Sequence, residues 1–243
     1  MTRVLMAITG SDHWTLADGT PHATGFWPEE LIVPHQKFTD AGYDLVLATP
    51  GGVRPVPDQA GFTPEMNGGD SAAGERFRDY LASIDAVLAA PADLHAMSAD
   101  DFDAVFVPGG HGPMEDLAVD ADFGRLLNQF DDAGKIVSAV CHGPAALLSA
   151  TTDDGAWTFA GRRVTGFANT EETQIGFAES APWLLQDRLT DAGGSYESAD
   201  EAWAPHIVAD GNLFTGQNPG STGPLADVLV EALADVDSAA NVA

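Results

Sequence analysis

The chain has 243 residues, and 44% of them are hydrophobic, enough for a sizeable core and too many for wholesale disorder. Asp and Glu number 37 against 10 Lys and Arg, a net charge of −27 with only Lys37 and Lys135 as lysines, so nucleic acid and anionic membrane surfaces are expected to be repelled rather than bound. No apolar run reaches the roughly 18 residues of a membrane span. The amino terminus lacks a signal-peptide pattern, and one cysteine forbids an internal disulfide; the expected location is cytoplasmic.

In chain order, Val4–Ile8 reads as a first strand, followed by a long loop, Ser11–Trp27. Glu30–Ala41 has helical spacing and stops at Gly42, and Tyr43–Ala48 is the second strand. Thr49–Gly69, rich in Pro and Gly, is expected to be a surface excursion or a small hairpin. Ala104–Val107 is a short buried strand stopped by Pro108-Gly109-Gly110. Phe123–Ala133 is a helix closed by Gly134, Ile136–Val140 is the next strand, and Gly143–Ser149 starts a helix directly after it. A strand over Arg163–Gly166, a helix over Pro182–Ala192, a hairpin-like pair (Ile207–Ala209 and Leu213–Thr215) and a final helix from Pro224 to Asp235 complete the series. This alternation predicts an α/β fold, a mostly parallel sheet flanked by helices, with ligands at the carboxyl ends of the strands. No repeat or linker divides the chain, so residues 1–237 are expected to form one domain. Ser238–Ala243 is expected to fray.

The segment Ile136-Val-Ser-Ala-Val-Cys141-His142-Gly143-Pro144 carries the chemistry. A β-branched run ends at Cys141 and small residues then open a helix, the pattern of a nucleophile elbow in which Gly143 permits close backbone approach. A helix start should favour the thiolate, which predicts an acidic, readily oxidised thiol. A carboxyl group held beside that sulfur should keep its proton and donate a hydrogen bond. No spacing resembles a zinc motif such as His-Glu-x-x-His, and Gly109-Gly110-His111-Gly112 lacks the Lys-Ser/Thr of a phosphate loop. Neither a metal nor any other cofactor is expected.

The Ala139-Val-Cys-His-Gly-Pro-Ala run resembles the nucleophile motif of the ThiJ/PfpI superfamily. Phe106-Val-Pro-Gly-Gly-His111-Gly112, Thr24-Gly-Phe-Trp-Pro-Glu-Glu30-Leu, Gly166-Phe-Ala-Asn-Thr-Glu-Glu172-Thr and Thr215-Gly-Gln-Asn-Pro-Gly-Ser221 resemble further stretches of that family, so the likeness spans nearly the whole chain. It implies a flavodoxin-like open sheet with helices on both faces, the class I glutamine amidotransferase-like fold. It also implies Cys141 as nucleophile and Glu30, four residues before Pro34, as the acid facing it, rather than Glu29. By the same likeness His142 turns back to the sulfur and is oriented by Glu172, with Glu171 as the competing choice. Gly109, Gly110, His111 and Trp27 are the implied oxyanion and substrate-binding positions, the N–H groups of Gly110 and His142 holding the oxyanion.

Among the family's activities, the long Ser11–Trp27 loop and Glu172 place the chain with the larger, chaperone-like members. The implied function is cofactor-independent glyoxalase III activity, turning methylglyoxal into D-lactate through a hemithioacetal on Cys141. A deglycase, a holding chaperone and a PfpI-type peptidase are the alternatives. A glutamine amidotransferase is disfavoured, because His206 is followed by Ile207-Val208 rather than by His-x-Glu spacing. The resemblance also implies a homodimer.

The acidic, lysine-poor composition points to adaptation to a salt-rich cytosol, where screening relieves self-repulsion. The Debye length shortens from about 30 Å at about 0.01 M salt to about 10 Å at about 0.1 M. Thermal melting in sodium chloride and in sodium sulfate at matched ionic strength should therefore show a rising Tm, with most of the gain by a few tenths molar in either salt. A Tm independent of salt contradicts the halophilic reading without touching the chemistry of Cys141.

Overall fold

The computed structural model describes residues 1–240, with side chains through Ala234. The central strands form where apolar residues are buried on both faces, as they are when helices cover either side of a parallel sheet. β1 (Arg3–Ala7), β6 (Ala104–Val107) and β7 (Ile136–Val140) are buried along nearly their whole length. β4 (Asp44–Thr49), β5 (Ala92–Asp93), β10 (Ile207–Asp210) and β11 (Leu213–Gly216) complete a seven-stranded sheet in the order β10-β11-β7-β6-β1-β4-β5. Every neighbouring pair is parallel except the β10–β11 hairpin. β2 (His13–Thr15) with β3 (Pro21–Ala23), and β8 (Arg163–Val164) with β9 (Ser195–Tyr196), make two small separate pairs.

The helices are α1 (Pro28–Asp40), α2 (Ala73–Ser83), α3 (Asp85–Leu88), α4 (Gly112–Glu115), α5 (Ala121–Asp132), α6 (Asn169–Gln174), α7 (Leu185–Asp191) and α8 (Thr222–Ala240). α5 shows the local logic. Asp120 caps it by accepting the N–H groups of Asp122 and Phe123, while Phe123, Leu126, Leu127 and Phe130 form its buried stripe. α1 starts on Pro28, whose missing N–H costs nothing in a first turn, and packs against α8. No helix of the described residues is long and apolar enough to cross a membrane.

Register sets the functional edge. Val107 pairs with Ala139 and Val140 with Gly216, so the residues that follow β6, β7 and β11 emerge together at the carboxyl edge of the sheet. Cys141 and the Pro108-Gly109-Gly110 loop lie there side by side.

The structure departs from expectation in several places. Ser11–Trp27 is not a plain loop: it holds the β2–β3 hairpin, with Trp14 opposite His22. Thr49–Gly69 forms no hairpin but three 3₁₀ turns, anchored by a bridge between Phe26 and Pro57 and by buried Phe62. Residues 70–103, left without elements by pattern alone, contain α2, α3 and β5; α2 has no side-chain cap, and only Ala73, Gly74 and Leu81 of it are buried. Gly143–Ser149 is 3₁₀ rather than α-helical. The strand expected over Arg163–Gly166 is the two-residue β8, outside the main sheet. The last helix runs to Ala240 and so takes in Ser238–Ala240 of the tail expected to fray, and 241–243 lie outside the described residues.

Candidate active site

Cys141 follows β7 with φ +60°, a conformation that costs a non-glycine residue energy and is kept only where the surroundings impose it. Its N–H donates to Gly216 O at 2.9 Å and its carbonyl accepts from Phe167 N at 2.8 Å, so the turn is pinned on both sides. Gly143 is required two residues on, because a Cβ there would sit 2.4 Å from Val107 O. The thiol is buried and projects at the carboxyl edge of the sheet.

Glu30 reaches the sulfur from the first turn of α1 with no exposed surface. Its Oε2 accepts the Gly109 N–H at 2.9 Å, and Gly109 O accepts the Trp27 N–H at 2.9 Å, which ties the start of α1 to the loop after β6. Its Oε1 is buried without a hydrogen-bond partner. Burial pushes the Glu30 carboxyl well above the ordinary carboxylate range, with the Glu29 charge adding to it and the thiol hydrogen bond and the Gly109 N–H opposing it. Burial therefore favours the protonated form of Glu30.

The thiol differs from the sequence expectation. Burial pushes Cys141 well above its ordinary value, negative charge on Glu30 pushes it further, and the Gly110 N–H pulls it down. The 3₁₀ turns after it are too short for the macrodipole of an α-helix to outweigh burial. Burial therefore favours the neutral thiol, and His142 lies beside it with Nδ1 3.4 Å from Sγ.

His142 Nε2 donates to Glu172 Oε2 at 2.7 Å, so it is Glu172, and not Glu171, that orients the imidazole. Glu171 faces elsewhere, accepting N–H groups from Ala168, Trp203, Gln217 and Asn218. The other Glu172 oxygen accepts from His111 Nε2 at 2.9 Å, a link for which sequence offered only a histidine in the glycine loop after β6. Burial alone would raise the Glu172 pKa, but His142 and His111 overcome it and hold the carboxyl far below the usual range. Burial lowers the His111 pKa, as does a charge on His142, and this keeps His111 neutral. The ligand-type atoms of His111, His142 and Glu172 lie within 4.8 Å of one another, yet the His Nε2 and Glu172 oxygen atoms already satisfy each other.

Both Nε2 atoms donate, which leaves Nδ1 of His142 free to accept the thiol proton. The imidazole is packed against His111, 4.2 Å away ring to ring, and Phe167, 4.3 Å away, both rings tilted to it. Trp14 stacks on the far face of this cluster at 4.6 Å from His111.

Of the residues expected to bind substrate or oxyanion, Gly110, His111 and Trp27 line a cavity of about 40 Å³ over Cys141 and His142. Gly109, grouped with them from sequence, differs: its N–H is spent on Glu30 and is not available to an oxyanion. Gly110 needs its φ of +86°, with Gly25 O where a Cβ would go. Met66, Phe167, Ile175, Trp203 and Pro219, none of them expected, complete the walls. A larger groove of about 580 Å³, reaching His22 and Asp58, shares Trp27, Met66, His111 and Ile175 with the cavity.

Open parallel sheets that carry a nucleophile on such an elbow form a recognisable class of α/β proteins, and this chain falls in it by geometry. Within that class it belongs to the DJ-1/PfpI family, whose model matches residues 22–232. It is 34% identical over 194 residues to glutamine amidotransferase-like class 1 domain-containing protein 1 of Bos taurus, covering 79% of this chain and 82% of that one. To the protein/nucleic acid deglycase HchA of Pseudomonas aeruginosa it is 29% identical over 245 residues, covering 96% and 82%. The solved structure of glyoxalase III from Candida albicans is similar with a TM-score of 0.80 at 26% identity, over 95% of this chain and 97% of that one.

Because the folded Glu172 pKa lies below the unfolded value of about 4.3, its contribution to stability is present above that pH and is lost as pH falls through the depressed value. Thermal melts of wild type and Glu172→Gln between about pH 7 and about pH 3 should show wild type the more stable at neutrality and the gap narrowing below about pH 4. A gap that stays constant across that range would mean that Glu172 is not held ionised by its histidines.

Proposed function

We propose that the chain is a glutathione-independent glyoxalase of the glyoxalase III type, converting methylglyoxal or a similar small 2-oxoaldehyde to the 2-hydroxy acid, D-lactate in the case of methylglyoxal. One observation carries this reading: the thiol lies between a fully buried acid, whose proton burial favours, and an oriented histidine, two separate groups able to carry protons around one nucleophile. The likeness to Candida albicans glyoxalase III supports it.

In the proposed sequence Sγ of Cys141 adds to the aldehyde carbon while its proton passes to His142 Nδ1, and Glu172 stabilises the imidazolium. Glu30 gives its proton to the aldehyde oxygen, near the N–H groups of Gly110 and His142, and a hemithioacetal forms. The Glu30 carboxylate then removes hydrogen from that carbon as a proton, and His142 protonates the neighbouring carbonyl oxygen, which gives an enediol. Glu30 returns its proton to the second carbon and His142 takes the hydroxyl proton of the first, leaving a lactoyl thioester. Water attacks the thioester, giving one proton to Glu30, while His142 protonates the departing sulfur. The first carbon is oxidised by the amount the second is reduced, so the electrons balance without an outside acceptor.

A second reading, removal of glycation adducts, uses the same thiol. The groove beside the cavity favours it, since such an adduct brings its amine-bearing portion along.

Purified protein given methylglyoxal without glutathione should produce lactate, detected with a D-specific lactate dehydrogenase. Glu30→Gln keeps a hydrogen-bond donor but no transferable proton, and should cost at least about 100-fold in kcat with circular dichroism unchanged. No lactate from wild type would overturn the reading, and activity within a few-fold in Glu30→Gln would remove Glu30 from it.

A further inference from the structure

Trp203 lines the catalytic cavity but not the groove, and it is held there in an unusual way. Its φ is +69°, a region a bulky aromatic residue rarely occupies unless its surroundings impose it. Its N–H donates to Glu171 Oε1 at 2.8 Å and its indole Nε1–H to Gln174 Oε1 at 2.6 Å. The ring meets Phe167 edge-on at 5.6 Å, and Phe167 in turn covers His142. Yet Trp203 is 37% exposed, so burial does not fix it; the hydrogen bonds do.

Glu171, fully buried, accepts four N–H groups, none of them from Cys141 or His142. Two of its donors, Gln217 and Asn218, directly follow β11 and also hold the segment before and after Trp203, through the Ala199 N–H and Ala204 O. A buried carboxylate is costly unless fully hydrogen-bonded, and here the bonds converge on one loop. That loop carries a wall of a cavity of only about 40 Å³.

We infer that Trp203 is the residue that sets substrate size, a fixed aromatic shutter over Cys141 that admits short-chain 2-oxoaldehydes and turns away aryl ones, with Glu171 as the residue that positions it. The selectivity for aldehydes rests on the glyoxalase reading; the shutter itself does not.

The test uses Cys141 as the sole cysteine of the chain. Alkylation rates with iodoacetamide and with the bulky fluorescein-5-maleimide are compared in wild type, Trp203→Ala and Trp203→Phe, alongside kcat/KM for methylglyoxal and phenylglyoxal. In Trp203→Ala the ratio of bulky to small reagent, and of phenylglyoxal to methylglyoxal, should each rise about tenfold or more, the scale on which pocket volume discriminates. Trp203→Phe, which keeps the ring against Phe167 but loses the bond to Gln174, should lie between. Shifted alkylation without turnover of either aldehyde in any protein keeps the shutter and discards the glyoxalase reading. An unchanged alkylation ratio in both variants, with wild-type melting behaviour, overturns the shutter.

Discussion

A carboxyl group with no exposed surface, placed against a thiol, cannot share that space with a second negative charge. Burial and like charge together confine Glu30 and Cys141 to at most one ionised member at neutral pH, and the other features of the site follow from that limit. The acid must arrive from a separate element, which is why α1 begins at Pro28 and why the Gly109 N–H and the Trp27 N–H lace its first turn to the loop after β6. The thiol must be presented without an exposed backbone, which is why Cys141 adopts φ +60° with both its N–H and its carbonyl taken.

The opposite side of the sulfur solves the complementary problem of where its proton goes. Glu172 stays anionic because two imidazoles donate to it, and its bond to Nε2 holds the His142 ring with Nδ1 toward the sulfur. Trp14, His111, His142, Phe167 and Trp203 form a row of neighbouring rings that brackets the imidazole.

Much of this was legible in the residues. The strand–Cys–His–Gly–Pro turn located the nucleophile, the apolar runs located six of the seven strands of the main sheet within a residue or two, and the positions of Glu30 and Glu172 came from family likeness. What stayed hidden depended on contacts between distant segments. The β2–β3 hairpin is only three residues a side, and Trp14 owes its burial to His111 and its neighbours rather than to periodicity. Gly109 falls among the implied oxyanion and substrate-binding positions by its place in the loop, and only the bond to Glu30 shows that its N–H is occupied. The acidic thiol was inferred from a helix start that turned out to be 3₁₀ and buried. Trp203 follows no recognisable motif; its place depends on Glu171, Gln174 and Asn218 meeting in space.

The central claim is that hydrogen moves between the two substrate carbons as a proton, carried by Glu30, and not as a hydride within the bound substrate. Turnover of methylglyoxal in deuterium oxide, with the product examined by proton NMR and mass spectrometry, tests this directly. The Glu30 proton can exchange with solvent while the enediol is bound, so the predicted result is lactate carrying solvent deuterium on its second carbon in all or part of the product. Lactate that retains the original aldehyde hydrogen at that carbon in every molecule would contradict it.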